Sequence, residues 1–393
     1  MVKKLTDNYI ISPQQFVKIK VCYAISSLCE GPTYVLYNIV RYMNFSQFEV
    51  DIVTMTLEKD TTIIDDFKKF PLRIHQLTTK KPLSPWTMGR LLRKKIQEIE
   101  PDIVHVHCPR SRLLSPVIPK KCKTVETVHN YPDLPKVLYG QVKGTIVKWL
   151  STLMTRRMDL VIPCSEVIGK KYDEMGIKNT PIPNGCSMPV WEYDEQEKKL
   201  LRQEFGMADN KTWFLYVGRF SEEKNPNVVI KAFEELNNDK YGLIMIGNGR
   251  MWDDMKRHES QNILMPGFTH EVQKYLKATD FFISASDSEG MPNTVLEAMA
   301  TGIPMLLSDI APHREVLEKS KEPIGLLYDQ KDSKSLIEGI YKISSVSSIL
   351  WSNRMHDVYV KYYTAKMMSE KYQEQYKILM NRDALLLSSN QNI

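Results

Sequence analysis

Long apolar runs are absent from this sequence of 393 residues. Its most apolar stretches, such as MDLVIPC at 158–164 and DFFISA at 280–285, are brief and flanked by polar positions. A helix that crosses a membrane needs ~18 uninterrupted apolar residues, so none is expected here. The opening MVKKLTDNYIISPQQF follows two lysines with polar residues instead of the apolar core of a signal peptide, and secretion is not expected either. Cysteine is sparse. Cys22, Cys29, Cys108, Cys122, Cys164 and Cys186 stand apart, with no CxxC pair and no Cys/His metal spacing, and a chain of this size needs no disulfide framework. They are expected to be small buried hydrophobes of a protein kept in the reduced cytosol. No DxD motif and no other close group of Asp, His and Cys offers ligands to a metal ion. Repeats and low-complexity tracts are also missing.

What the sequence does have is size and a lopsided charge. One core rarely serves 393 residues, and 42% hydrophobic with 25% charged residues is the make-up of an ordinary folded protein, so two domains are expected. The formal charge of +6 hides an asymmetry. Residues 1–185 hold 28 Lys and Arg against 17 Asp and Glu, or +11, while residues 186–393 hold 25 against 30, or −5. A basic half points to a polyanion, either nucleic acid or an anionic lipid surface, with a merely solvated lysine-rich surface as the plain alternative. Nucleic acid is disfavoured, because the aromatics form no stacking platform and no recognition motif is present. Two basic segments interleave with aromatics. Lys80, Lys81 and Trp86 run on to Arg90, Arg93, Lys94 and Lys95. Between Lys136 and Arg157, the residues Val142, Ile146, Trp149, Leu150, Leu153 and Met154 recur at helical spacing beside Lys143, Lys148, Arg156 and Arg157. Such a stripe is either core packing or a helix lying in an anionic membrane interface.

Short runs rich in β-branched and aromatic residues alternate with amphipathic segments. KIKVCYAI, FEVDIVTM, DIVHVH, TVETVH and DLVIPCS are expected strands of one parallel, doubly wound sheet. WFLYVGR, YGLIMIG, NILMPG, DFFISAS and PMLLSD are expected strands of a second, with helices between them such as 227–236 and 294–301. Pro181, Pro183, Asn184, Gly185 and Pro189 place the hinge near 185–200. The expected division is therefore 1–185, 186–355 and a helical 356–393 that crosses back to the first domain and ends in a disordered SSNQNI tail. Ligands of such sheets bind beyond the carboxyl ends of the strands, so the site belongs in the cleft between the domains.

The densest group of polar and turn residues is SDSEGMPNTVLEAMATGIPMLLSD at 286–309. A turn, Glu289-Gly290-Met291-Pro292, joins a strand to a helix, and Asn293 is placed to cap that helix. Its start then offers orphan N–H groups and partial positive charge, which suit a phosphate or a sugar hydroxyl. With Asn293 as cap, Glu297 lies one turn in and tilts back toward Glu289. Two carboxylates lining one pocket would accept hydrogen bonds from ribose or hexose hydroxyls; by itself Glu297 reads as a residue that stabilises the helix dipole. In YVGRFSEEKNP at 216–226, Gly218 permits a close backbone approach, and Arg219 and Lys224 bring two cations to the cleft mouth. A departing diphosphate needs such charges where no metal is held. His129 and Asn130 follow TVETV at a carboxyl end of the first sheet, where His129 alone reads as a structural histidine. His105 and His107 share one face of a strand, where His105 is expected to be structural. Gly31, before Pro32 in the first strand-to-helix loop, also permits close approach.

Glu289 and Glu297 enclose seven residues. With YVGRFSEEKNP, IGNGR at 246–250, PGF at 266–268, IPNG at 182–185, HVH at 105–107 and VHN at 128–130, this E-x7-E segment resembles the retaining GT-B glycosyltransferases of family 4. The resemblance spans most of the chain. It implies an α/β GT-B fold, two Rossmann-like doubly wound domains facing across a cleft, the first binding the acceptor and the second the nucleotide sugar. It implies that Arg219 and Lys224 hold the diphosphate, Glu289 grips the donor sugar and His129 faces that sugar. Gly218, Gly247, Gly249, Leu264, Gly267, Gly290, Met291, Pro292, Asn293, Thr294 and Glu297 become donor-binding residues, with Glu297 on the ribose. Gly31, His107 and Asn130 fall on the acceptor side. Two positions depart from the pattern: relatives commonly carry two adjacent glycines where Gly31 stands between Glu30 and Pro32, and Cys186-Ser187 follow IPNG in place of a hydrophobic residue and an Asp. The implied activity is retaining transfer of a hexosyl or N-acetylhexosaminyl unit from a nucleotide diphosphate sugar, UDP-sugar before GDP-sugar, with no metal or other cofactor. The implied acceptor is a carbohydrate carried on a lipid, in bacterial O-antigen or capsule synthesis, at a cytoplasmic enzyme resting on the inner face of the membrane. A GT-B sugar-nucleotide epimerase and a GDP-mannose-dependent mannosyltransferase are the alternatives.

Overall fold

Six strands of the first half pair side by side, all parallel: β1 (Ile19–Ile25), β2 (Phe48–Thr54), β3 (Arg73–Gln76), β4 (Ile103–Val106), β5 (Lys123–Val128) and β6 (Leu160–Pro163), in the order β3-β2-β1-β4-β5-β6. The second half repeats the plan with β7 (Thr212–Val217), β8 (Tyr241–Ile246), β9 (Ile263–Gly267), β10 (Phe281–Ser284), β11 (Met305–Ser308) and β12 (Gly325–Tyr328), in the order β12-β11-β10-β7-β8-β9. The computed structural model describes residues 17–29, 31–56, 63–78, 83–135, 140–188, 194–346 and 348–390. Glu30, Lys80, Lys81, Lys136, Pro189 and the last three residues of SSNQNI lie outside the described residues.

Apart from the edge strand β3, RIHQ, these strands are largely buried, because helices cover both sides of a parallel sheet. Alternation along β1 divides its side chains between two layers: Val21, Tyr23 and Ile25 join one core, Cys22 and Ala24 the other. Met88, Leu92 and Ile96 of the Pro85–Ile99 helix close the second layer. The first layer is closed by Met368, Tyr372, Tyr376 and Leu379 of the Ala365–Asn390 helix, so the end of the chain returns to the first sheet. His105 is held inside that layer. Its Nδ1 bonds the Tyr376 hydroxyl at 2.7 Å and its Nε2 the Thr127 hydroxyl at 2.8 Å, while Tyr23 bonds Tyr376 at 3.0 Å and Tyr372 bonds Thr127 at 2.9 Å. Mutual pairing is what lets these polar groups sit in a core, and His105 is structural.

Some expected boundaries move. The helix after Lys224 is Pro226–Leu236, one residue earlier than expected, because proline has no N–H to lose at the first helical position. The tail expected to be disordered from 388 is helical as far as Asn390. The apolar stripe of the Gln141–Thr155 helix is not core: Gly144, Ser151, Met154 and Thr155 face inward, while Val142, Ile146, Trp149 and Leu150 are 77%, 55%, 63% and 38% exposed. Small residues on the inner face suit close packing against the Pro109–Leu114 helix. Trp86, at the start of the Pro85–Ile99 helix, is also exposed.

In each sheet the strand order reverses once, between β1 and β4 and between β7 and β10. Such reversals open a crevice at the carboxyl ends of the strands. The chain leaving β1 leads to Gly31 and that leaving β4 to His107, while the loops after β7 and β10 carry Arg219, Lys224 and Glu289.

Candidate functional site

On the second sheet, three strand ends are tied backbone to backbone. Gly218 N–H donates to Ile246, Phe220 N–H to Asn248 and Gly247 N–H to Gly267, each at 3.0 Å. Gly247 has φ of 144°, and a Cβ there would lie 1.9 Å from the Gly218 carbonyl oxygen, so only glycine fits. The crowding is most severe at Gly247, and at Gly249 against the Phe220 carbonyl, whereas a Cβ on Gly218 would meet the Tyr216 hydroxyl at 3.2 Å. Leu264 packs on the second core, and the Gly267 carbonyl serves Gly247.

Lys224 is held by its own carbonyl, which accepts from the Tyr216 hydroxyl at 3.1 Å. Its ammonium forms an ion pair with Glu289 Oε1, the same oxygen that accepts from Ser286 Oγ at 2.7 Å. Burial pushes the Glu289 carboxyl up, but the Lys224 ammonium, the Ser286 hydroxyl and nearby His313 outweigh it and hold the group below the usual carboxylate range. Arg219 is exposed and has no side-chain partner among the described residues. The two cations expected as a matched pair thus stand in different surroundings, since only Lys224 meets a buried carboxylate.

The Asn293–Ala300 helix begins without its expected cap. Asn293 is the first helical residue, Pro292 occupies the cap position, and no side chain caps the helix start. The Asn293 Oδ1 is engaged elsewhere, accepting from Asn184 Nδ2 at 3.1 Å. Val295 N–H bonds the Pro292 carbonyl at 3.1 Å, which leaves the N–H groups of Asn293 and half-buried Thr294 without an acceptor among the described residues, next to buried Gly290, Met291 and Pro292. Glu297 is half-buried, and burial pushes its carboxyl up to about 7. Its charge acts on Cys186 and on Tyr34, which lies across the cleft in the Gly31–Arg41 helix.

From the first sheet, His129 reaches the same place. A Cβ on Gly290 would lie 1.8 Å from the His129 carbonyl oxygen, so the Gly290 loop rests directly on the chain just past β5. The His129 Nε2 has no partner, and burial, then the Arg112 guanidinium, hold the ring neutral with a pKa of about 4. Asn130 and Gly31 are exposed. His107 does not edge the cleft. It is fully buried, its ring centroid 4.3 Å from His105 and 5.6 Å from His129, and neither ring nitrogen has a partner. Its direction follows from strand alternation, which carries it inward under Tyr23.

Asn184 reads in the sequence only as a hinge and IPNG residue, and four further contributors escaped that reading. His313 comes from a distant segment, and the buried ion pair of Arg112 and Glu126 joins a helix to a strand. None of these carries a local signal. Ser286 does, standing three residues before Glu289 within one turn. Among the described residues no group of three or more His, Cys, Asp or Glu side chains is placed to hold a metal ion.

The family model described as Glycosyl transferases group 1 matches residues 197–353, and that described as Glycosyltransferase Family 4 matches residues 30–188. The UDP-Gal:alpha-D-GlcNAc-diphosphoundecaprenol alpha-1,3-galactosyltransferase of Escherichia coli is 24% identical over 349 residues, covering 83% of this chain and 88% of its own. The O-antigen biosynthesis glycosyltransferase WclY of Escherichia coli is 25% identical over 374 residues, covering 92% and 99%. Anabaena Alr3699/HepE, solved in complex with UDP and glucose, shares the fold with a TM-score of 0.78 at 15% identity, over 91% of this chain and 99% of that one. With both sheets, both switch points and both halves matched, the chain belongs to the GT-B glycosyltransferases of group 1 and family 4.

Proposed function

We propose that this glycosyltransferase moves a hexosyl or N-acetylhexosaminyl unit, with retention, from a UDP-sugar to a lipid-linked carbohydrate acceptor in the synthesis of a bacterial surface polysaccharide. The observation that carries this reading is the meeting of Lys224, Glu289 and an uncapped helix start at one switch point, against His129 of the other half. Cation, hydroxyl acceptor and orphan N–H groups are what a sugar diphosphate needs. The Escherichia coli relative is named for a UDP-Gal donor and a diphosphoundecaprenol-linked acceptor, and HepE was also solved with UDP-glucose.

Residues 1–185 would carry the acceptor and 186–355 the donor, with Glu297 on the ribose. Arg219, Lys224 and the first-turn N–H groups of the Asn293–Ala300 helix take the charge of the departing diphosphate, and no metal cofactor is proposed. The acceptor hydroxyl attacks the anomeric carbon on the face that UDP leaves. The carbon–phosphate-oxygen bond breaks as the glycosidic bond forms, and the freed phosphate oxygen takes the hydroxyl proton. Glu289 grips sugar hydroxyls throughout, and neutral His129 orients the sugar from the first half. The basic first half and the outward apolar face at Val142, Ile146 and Trp149 support a peripheral seat on an anionic membrane. No helix among the described residues is long and apolar enough to cross one.

A thermal-shift panel of UDP, GDP, ADP and their sugars, followed by product analysis with the stabilising donor, tests the reading. UDP and one UDP-sugar are expected to raise Tm, and the product to keep the donor's anomeric configuration. Stabilisation by GDP alone, or an inverted product, would overturn it.

A further inference from the structure

Where the two halves meet there is a contact that neither donor nor acceptor residues use. The Glu166–Glu174 helix starts just past β6, and its first three N–H groups are all engaged. Ser165 Oγ accepts from Ile168 N–H at 3.2 Å. The other two are taken by the second half: Glu315, on the Ala311–Leu317 helix, accepts from Glu166 N–H at 3.0 Å through Oε1 and from Val167 N–H at 2.8 Å through Oε2. Lys319 then reaches back to the Glu166 carboxylate at 2.9 Å. Glu315 is only 6% exposed.

A carboxylate on two N–H groups at a helix start gains charge-assisted hydrogen bonds and the favourable end of the dipole. Here the cap lies 149 residues away, in the other domain. Separating the domains would strip two helix N–H groups of their acceptor and leave the carboxylate to be solvated alone. The contact also adjoins the site. Ser165 follows Cys164, whose sulfur would lie 2.9 Å from a Cβ on Gly290, in the same strip where Gly290 presses on the His129 carbonyl.

We propose that Glu315 is a positioning residue for the transferase reaction, an interdomain latch that caps the Glu166–Glu174 helix in trans and holds His129 against the Gly290 loop. The effect on turnover rests on the donor site proposed above; the effect on closure does not.

Small-angle scattering of the full chain, free and with UDP, tests the latch in Glu315→Ala, Glu315→Gln and Glu166→Pro. The proline removes one N–H that Glu315 binds, at a helix position that favours proline, and Ser165, at φ −157° and ψ 160°, already has the extended backbone that a residue before proline adopts. Glu166→Gln keeps the N–H and loses only the Lys319 pair. Glu315→Ala and Glu166→Pro are expected to raise the radius of gyration of the free protein, with Glu315→Gln between them and the parent. Their kcat/KM is expected to fall roughly tenfold while UDP affinity stays unchanged. Because they break one contact, the double variant Glu315→Ala with Glu166→Pro should lose no more than the worse single one. An unchanged radius of gyration in both single variants, additive losses, or equal opening in Glu166→Gln would overturn the latch. If Glu315→Ala fails to fold, Glu166→Pro and Glu315→Gln decide, and if UDP-sugars are not turned over, scattering decides alone.

Discussion

Lys224 and Arg219 leave the same loop and meet different surroundings, so their removal should separate stability from turnover. Lys224 is half-buried on Glu289, and its loss leaves a buried carboxylate unpaired; Lys224→Ala is expected to lower both turnover and Tm. Arg219 is exposed and unpaired among the described residues, so Arg219→Ala should lower turnover by roughly 10²–10³-fold with Tm unchanged. Near-normal turnover in both would defeat the diphosphate assignment. Glu297 offers a pH test. Its folded pKa of about 7 stands above the value of 4.5 it has when unfolded, so the folded chain binds an extra proton between the two and loses stability as pH rises across that window. Glu297→Gln should therefore stabilise the free protein at pH 8 by about 1–2 kcal/mol once screening is allowed for, and change nothing below the window. The same variant should weaken UDP binding at pH 8; equal stability at both pH values would refute the buried-carboxylate assignment. Lys224, Arg219 and Glu297 were visible in the sequence as loop and helix positions, yet the ion pair that sets Lys224 apart from Arg219 was not, because its partner lies 65 residues away in another loop.

At the scale of elements, the Asn293–Ala300 and Gln141–Thr155 helices make the same point from opposite sides. In the first, a strand, a Gly-Met-Pro turn and an apolar run gave the helix away, but the cap went to Pro292 because Asn184 recruits the Asn293 side chain. In the second, the apolar period was plain, but a period shows only that one side is apolar, not whether anything covers it. Gly144 and Ser151 face inward, and Trp149 faces out. That outward face, flanked by Lys143, Arg156 and Arg157, predicts flotation with anionic liposomes, lost at high salt and reduced in a Trp149→Ala, Ile146→Ala double variant. Flotation unaffected by either change would remove this helix from the membrane account.

For the whole molecule, two sheets share one strand order, and polar groups of each half are completed by the other. His129 needs Gly290, Asn293 engages Asn184, and the Glu166–Glu174 helix takes its cap from Glu315. Fixed cations and a helix start carrying the diphosphate charge predict turnover insensitive to EDTA. Activity abolished by the chelator and restored by manganese would contradict that arrangement. The +11 of residues 1–185, beside −5 for the rest of the chain, is a property at this scale too.

The amino-acid sequence by itself determined the strands, the turns that end them and the residue types delivered to each strand end. Those rest on side-chain period, β-branching and the φ freedom of residues such as Gly247, which act over a few residues of chain. Only the tertiary structure decided that Lys224 pairs with Glu289, that the Trp149 stripe is uncovered and that Glu315 caps a helix of the other half. Each of these is a pairing between atoms far apart in the chain, set by how two sheets stack and how the last helix returns, and short-range preference carries no information about it.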